Sequence, residues 1–123
     1  MKVISVNVGL DGTGYSQFGN DLCLALDSVG VDVAVRPIKL ATQYVEPPKR
    51  LAELCLKPID GATHVIQNIL PPYFSYRHGF KNIGLCHFEG SDFRPSNWQY
   101  YCNLLDELWV GCNDNAEAAK ASG

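Results

Sequence analysis

The period of the apolar positions changes several times along this chain, and each change marks an element. Val3-Ile4-Ser5-Val6-Asn7-Val8 is a nearly continuous β-branched run, which suits a strand covered on both faces. After Asp11-Gly12-Thr13-Gly14-Tyr15-Ser16, read as a loop, Phe18, Leu22, Ala25, Leu26 and Val29 fall on one helical stripe that Gly30 is placed to close. Residues 31–35 return to strand character and are expected to stop at Pro37, and residues 39–46 show no period and are read as loop. Pro47-Pro48 suits the opening of a helix, with Leu51, Leu54 and Cys55 on one face before Pro58 ends it. Thr63-His64-Val65-Ile66-Gln67 predicts a third strand, Pro71-Pro72 breaks the chain, and Lys81-Asn82-Ile83-Gly84-Leu85-Cys86-His87 predicts a fourth. Ser96 with Gln99 reads as a capping box for a helix carrying Trp98, Tyr101, Cys102 and Leu105. Glu107-Leu108-Trp109-Val110-Gly111 predicts a fifth strand, and Asp114 with Glu117 a second capping box for a terminal helix closed by Gly123.

Apolar strands that alternate with helices, joined by connections too long for hairpins, imply a mostly parallel sheet. The expected fold is a Rossmann-like three-layer α/β/α domain spanning residues 1–123, with a five-stranded sheet in the default order 3-2-1-4-5. Ligands of such sheets bind beyond the carboxyl ends of the strands. That rule directs attention to residues 12–16, Arg36, 67–73 and 87–92.

Composition narrows the function classes. At 123 residues and 46% hydrophobic, the chain makes one domain, and a net charge of −3 with no basic cluster argues against nucleic acid or an anionic membrane as partner. No apolar run approaches the roughly 18 residues of a membrane span, and the N-terminus lacks signal-peptide order, so a cytoplasmic protein without an integral membrane segment is expected. The five cysteines, Cys23, Cys55, Cys86, Cys102 and Cys112, form no C-x-x-C pair and sit in apolar segments, which reads as reduced core thiols. His64, His78 and His87 lie near no cluster of metal-ligating residues, so no metal site is expected, and His64 and His78 are read as structural or surface residues.

Two stretches carry candidate chemistry. Gly12, Thr13, Gly14, Tyr15 and Ser16 form either a phosphate or ligand loop, in which glycines let backbone amides approach an anion, or a plain tight turn. The dinucleotide fingerprint would need a third glycine where Gln17 stands, and a P-loop would need a lysine that is absent there. Arg36, after the second strand, is read as a solvated charge rather than a 2′-phosphate ligand. His87-Phe88-Glu89-Gly90-Ser91-Asp92 is the densest polar cluster at any strand end. His87 and Glu89 are candidates for acid, base or sugar-hydroxyl contacts, against the reading of an ordinary polar loop. The aromatics from Tyr73 to Tyr101 line a ligand cleft, cover a partner surface, or pack loops over a sheet edge.

Three motifs in sequence suggest a family. Asn82-Ile83-Gly84-Leu85-Cys86-His87-Phe88-Glu89, then Pro95-x-x-Trp98, then Leu105-Asp106-Glu107-Leu108-Trp109-Val110 together resemble the N-terminal domain of retaining, GT-B-fold glycosyltransferases of family 4. The glycine-bearing loop at 12–16 fits the same pattern, whereas Gly111-Cys112-Asn113 replaces the Pro-Ser common after Trp-Val. The resemblance implies an acceptor-side domain in which Gly12, Thr13 and Gly14 face a donor phosphate while His87 and Glu89 face acceptor or sugar. In that family the nucleotide-sugar is held mainly by a second, C-terminal domain, which these residues do not include, so the resemblance implies a half-enzyme inactive alone. The implied partners are a sugar or nucleotide ligand and either a second copy or a second protein chain. The other class consistent with the pattern is a non-catalytic small-molecule or protein-binding module on the same fold.

Overall fold

The computed structural model describes residues 1–8, 14–38, 44–87, 95 and 97–123. Strands β1 (Lys2–Val8), β2 (Asp32–Ile38), β3 (His64–Asn68), β4 (Lys81–Cys86) and β5 (Glu107–Val110) form one all-parallel sheet. Among the described residues the helices are α1 (Gly14–Ser28), α2 (Lys49–Cys55), α3 (Trp98–Cys102) and α4 (Asn113–Ser122), with a 3-10 turn at Pro71–Tyr73. On one sheet face Val3, Val33, Val35, Ile66, Ile83 and Leu85 pack under α1 and α2, through Cys23, Leu26, Leu51 and Leu54. The opposite face carries Ile4, Val6, Val65 and Cys86, with Phe74, Tyr101 and Cys102 of α3 and Ala118 of α4 completing its cover. The three-layer α/β/α arrangement thus follows from strands that are apolar on both sides.

The strand order is β2-β1-β3-β4-β5, which corrects the expected 3-2-1-4-5. The third strand lies beside β1, with Val3 opposite His64 and Asn7 opposite Asn68, and β2 is left at the edge. Two features of β2 explain this. It runs on through Pro37 instead of stopping there, and an edge strand, hydrogen-bonded on one side only, accommodates a residue without N–H. Its end is exposed or half-buried from Arg36 onward, whereas β3 is buried from Val65 to Asn68. The topological switch point therefore falls between β1 and β3.

Several local expectations shift in frame. Gly14, Tyr15 and Ser16 already belong to the first turn of α1 rather than to the loop. The helix buries Ser16, Gly19 and Cys23, with Leu22 and Leu26 half-buried, whereas Val29 lies past the helix end and is 77% exposed. Gly30, at φ +89°, closes α1, and the N–H of Val31 reaches back to the carbonyl of Leu26 at 3.0 Å. Gly123 likewise ends α4 at φ +84°. Neither helix has its N-cap where the capping box places it. The N-cap of α3 is Asn97 in the left-handed region, without a side-chain cap, and Ser96 lies outside the described residues. That of α4 is Cys112, which places Asp114 inside the first turn, where its charge complements the helix dipole.

Part of the family-like motif has a packing explanation. Asn82 is fully buried, and its side chain accepts the Arg77 N–H at 2.9 Å and donates to the carbonyls of Arg77 and Phe80, which ties down the β3–β4 connection. Asp106 accepts the Asn82 backbone N–H at 2.7 Å, so the two motif segments are joined by a charge-assisted bond. A Cβ on Gly84 would stand 2.6 Å from Leu105 Cδ1 and 2.8 Å from Phe74 Cε2, so the strand must be bare at that point.

Candidate functional site

The carboxyl ends of β1 and β3 hold a cluster of buried amides, and α1 lies over it. Asn7 and Asn68 are register neighbours, both essentially inaccessible, and Asn68 Nδ2 donates to Asn7 Oδ1 at 2.9 Å. Asn7 Nδ2 in turn donates to Asn20 Oδ1 on α1 at 3.2 Å. The helix approaches this pair at Gly19, where an added Cβ would fall 1.6 Å from Asn7 Oδ1 and 2.4 Å from Asn68 Nδ2. Further along the same interface the Cys23 thiol donates to Ser5 Oγ at 3.3 Å, and burial pushes that thiol's pKa up, so it stays protonated and unreactive.

Ser16 is buried in the first turn of α1, and with Gln17, Asn20 and Asp21 it lines a cavity of about 160 Å³ closed by residues 45–48. No acidic residue stands in the first turn of α1, so the positive end of the helix dipole is not neutralised from within it. Gly12 and Thr13 lie outside the described residues, and Gly14 and Tyr15 are described as helical backbone only. Of the predicted phosphate or ligand loop, Ser16 is thus the member whose surroundings are defined.

His87 follows β4 and is half-buried. Its ring meets Phe18 of α1 edge-on, with centroids 4.5 Å apart and planes at 80°, and Gly111, just after β5, leaves room beside Nδ1. Glu89, the other candidate, lies outside the described residues, as do Phe88 and Phe93. What the structure brings together is therefore the first half of α1, the amide cluster at the switch point and the histidine arm after β4.

Other sequence candidates find structural roles. Arg36 is not a solvated charge. Its guanidinium donates to the carbonyls of Val35, Cys55 and Lys57, the last at 2.7 Å, and so satisfies the carboxyl end of α2. His64 Nδ1 lies 2.7 Å from Thr63 Oγ1 and His78 is at the surface, as expected. Phe74 enters the core, whereas Tyr73, Tyr76 and Tyr100 are exposed, so the aromatic segment divides between packing and surface. Cys23 and Cys86 are buried free thiols, but Cys55 and Cys102 are half-buried and Cys112 is exposed, which corrects the reading of all five as core. Cys112 is exposed because it precedes α4 in the turn after β5.

The amide cluster belongs to no local sequence motif. The available signal was an asparagine at the end of each of two apolar strands, in Val6-Asn7-Val8 and Ile66-Gln67-Asn68, where a buried amide requires a partner. Among the described residues no group of three or more His, Cys, Asp or Glu could hold a metal ion, and no helix is long and apolar enough to cross a membrane. Comparison with protein-family models, with curated proteins and with solved structures finds no match to this chain.

Proposed function

We propose that residues 1–123 form a glycosyltransferase-like N-terminal domain, the acceptor-side or partner-binding half of a sugar-transfer site. The observation that carries this reading is the convergence, at the β1/β3 switch point of a parallel sheet, of the start of α1, the Asn7–Asn20–Asn68 cluster and His87. Such a wall offers backbone amides and a helix N-terminus to a diphosphate, and the half-buried Asn20, held in place by Asn7, together with an imidazole to sugar hydroxyls. The order of the three motifs along the chain supports the family assignment. One wall binds without transferring, because sugar transfer needs donor and acceptor fixed together around a stabilised leaving diphosphate.

Calorimetry with uridine diphosphate and with uridine diphosphate glucose tests the reading. Binding on the order of millimolar, weakened by His87→Ala and without turnover of the nucleotide-sugar, is the expected outcome. Absence of heat at several times that concentration would end the ligand-binding reading, and turnover by the chain alone would end the half-enzyme reading.

A second reading, a non-catalytic protein-binding module or homo-oligomer, is favoured by an apolar groove of about 220 Å³. Val3, Leu26, Ile66, Ile83 and the 39% exposed Trp109 line it. Sedimentation at high micromolar concentration separates the two: a monomer that binds nucleotide supports the first, and a dimer indifferent to nucleotide supports the second.

A further inference from the structure

Cys86, the last residue of β4, and Cys102, the last residue of α3, belong to one apolar cluster on the sheet face covered by α3 and α4. The two thiols share that cluster and act on each other's ionisation. Their environments differ. Cys86 is fully buried, whereas Cys102 is half-buried and lines an open cavity of about 370 Å³ between α3, β5 and α4, with Gln99, Asn103, Leu108, Ala116 and Lys120. One thiol is therefore reachable from solvent and the other stands behind it, the arrangement of an attacking and a resolving cysteine. We propose that Cys86 and Cys102 are a redox modification site that closes to an intramolecular disulfide on reaction with a hydroperoxide entering through this cavity.

The charge distribution within the pair sets the order of events. The interaction with Cys102 and burial raise the pKa of Cys86, and the same interaction lowers that of Cys102, the less buried of the two. Cys102 is accordingly the thiolate former. In the first step its sulfur attacks one oxygen of hydrogen peroxide, the O–O bond breaks, and the other oxygen leaves as hydroxide and becomes water, with a sulfenic acid on Cys102. In the second step Cys86 sulfur attacks Cys102 sulfur, the S–O bond breaks, and the hydroxide leaves as water with the Cys86 proton. Two thiols and one peroxide give one disulfide and two waters. The bond would tie the end of β4 to α3 and close a loop over residues 86–102, which contains His87 and Glu89.

The test is hydrogen peroxide titration of the folded chain, quenching with iodoacetamide, and mass mapping after a glutamate-specific digest. Cleavage after Glu89 and Glu107 separates Cys86, Cys102 and Cys112 into three peptides. The expected result is a Cys86–Cys102 cross-link, reversed by dithiothreitol and retained in Cys112→Ser. In Cys86→Ala the reaction should stop at a sulfenic acid on Cys102 that dimedone traps, and in Cys102→Ala Cys86 should stay a free thiol. Oxidation of Cys112 alone, direct conversion of Cys102 to a sulfinic acid with Cys86 untouched, or a Cys102–Cys112 bridge would each overturn the proposal. The wild-type and Cys112→Ser maps decide it even if the Cys86 variant does not fold.

Discussion

Replacing Gly19 by alanine inverts a familiar rule. In an exposed helix interior this change stabilises by about 0.5–1 kcal/mol, because alanine is the better helix former. Gly19 lies inside α1 in ordinary helical conformation, so that gain is available in principle. The new Cβ, however, would occupy space 1.6 Å from Asn7 Oδ1 and 2.4 Å from Asn68 Nδ2. Neither amide can swing into solvent, since both are essentially inaccessible, and each holds the other at 2.9 Å. Relief requires that α1 lift from β1 or that the amides separate. Overpacking of this kind costs about 1–3 kcal/mol, and a buried amide deprived of its partner about 1–3 kcal/mol more. Against the helix gain, the net expectation is a loss of about 1–5 kcal/mol, which at about 2 kcal/mol per molar in urea moves the unfolding midpoint down by roughly 0.5–2.5 M. Trp98 and Trp109 fluorescence follows the transition. The double variant Asn7→Ala/Gly19→Ala sharpens the test, because with the obstructing amide removed its loss should be well below the sum of the two single losses. A midpoint for Gly19→Ala equal to or above that of the wild type would refute the close approach of α1 to the amide pair.

Three further outcomes follow from the same structure. Arg36→Ala, which frees the carbonyls of Cys55 and Lys57 at the end of α2 and that of Val35 in β2, should lower stability by about 1–3 kcal/mol in chemical denaturation. Asp27 and Asp32 have carboxyl pKa values lowered by hydrogen bonds from Arg50 and Lys57 respectively, so their contribution is complete above about pH 4 and drains as the pH falls through the lowered folded values. Thermal unfolding from pH 2 to 7 should therefore show an acid limb that Asp27→Asn flattens and salt weakens, since both pairs are exposed to screening. Gly84→Ala should destabilise by about 1–3 kcal/mol through Leu105 and Phe74, and Phe74→Leu should recover part of that loss in a double-variant unfolding experiment.

Much of the fold was legible because its strands are β-branched runs separated by proline and glycine, and all five strands and four helices fall where the periods place them, within one to three residues. The strand order was misread although its signal was present. Pro37 reads locally as a terminator, whereas a proline within a strand demands an edge, and placing β2 at the edge moves β3 against β1. The capping boxes failed for a different reason. A Ser or Asp three residues before a Gln or Glu fixes a helix start only when packing agrees, and α4, which packs through Asn115, Ala118 and Ser122, has its N-cap at Cys112, two residues before Asp114. The candidate site was half legible. Local motif reading could find His87 and the glycine loop, but the amide cluster joins Asn7 to Asn68 across 61 positions, and no local pattern announces a contact of that separation.

That amide pair also determines how the strands line up. A one-residue slip between β1 and β3 would exchange the two faces of one strand and carry Asn68 to the face opposite Asn7. A two-residue slip is the dangerous error, because it keeps every apolar side chain on its proper face and the β-branched runs would tolerate it. Translated by two in one direction, Asn7 would stand opposite Ile66, and in the other direction Asn68 would stand opposite Ser5; either way the two desolvated amides lose each other at about 1–3 kcal/mol apiece. The asparagines therefore act as an alignment key: the apolar residues determine that these two strands adhere, and the polar pair decides at which of the permitted offsets they do.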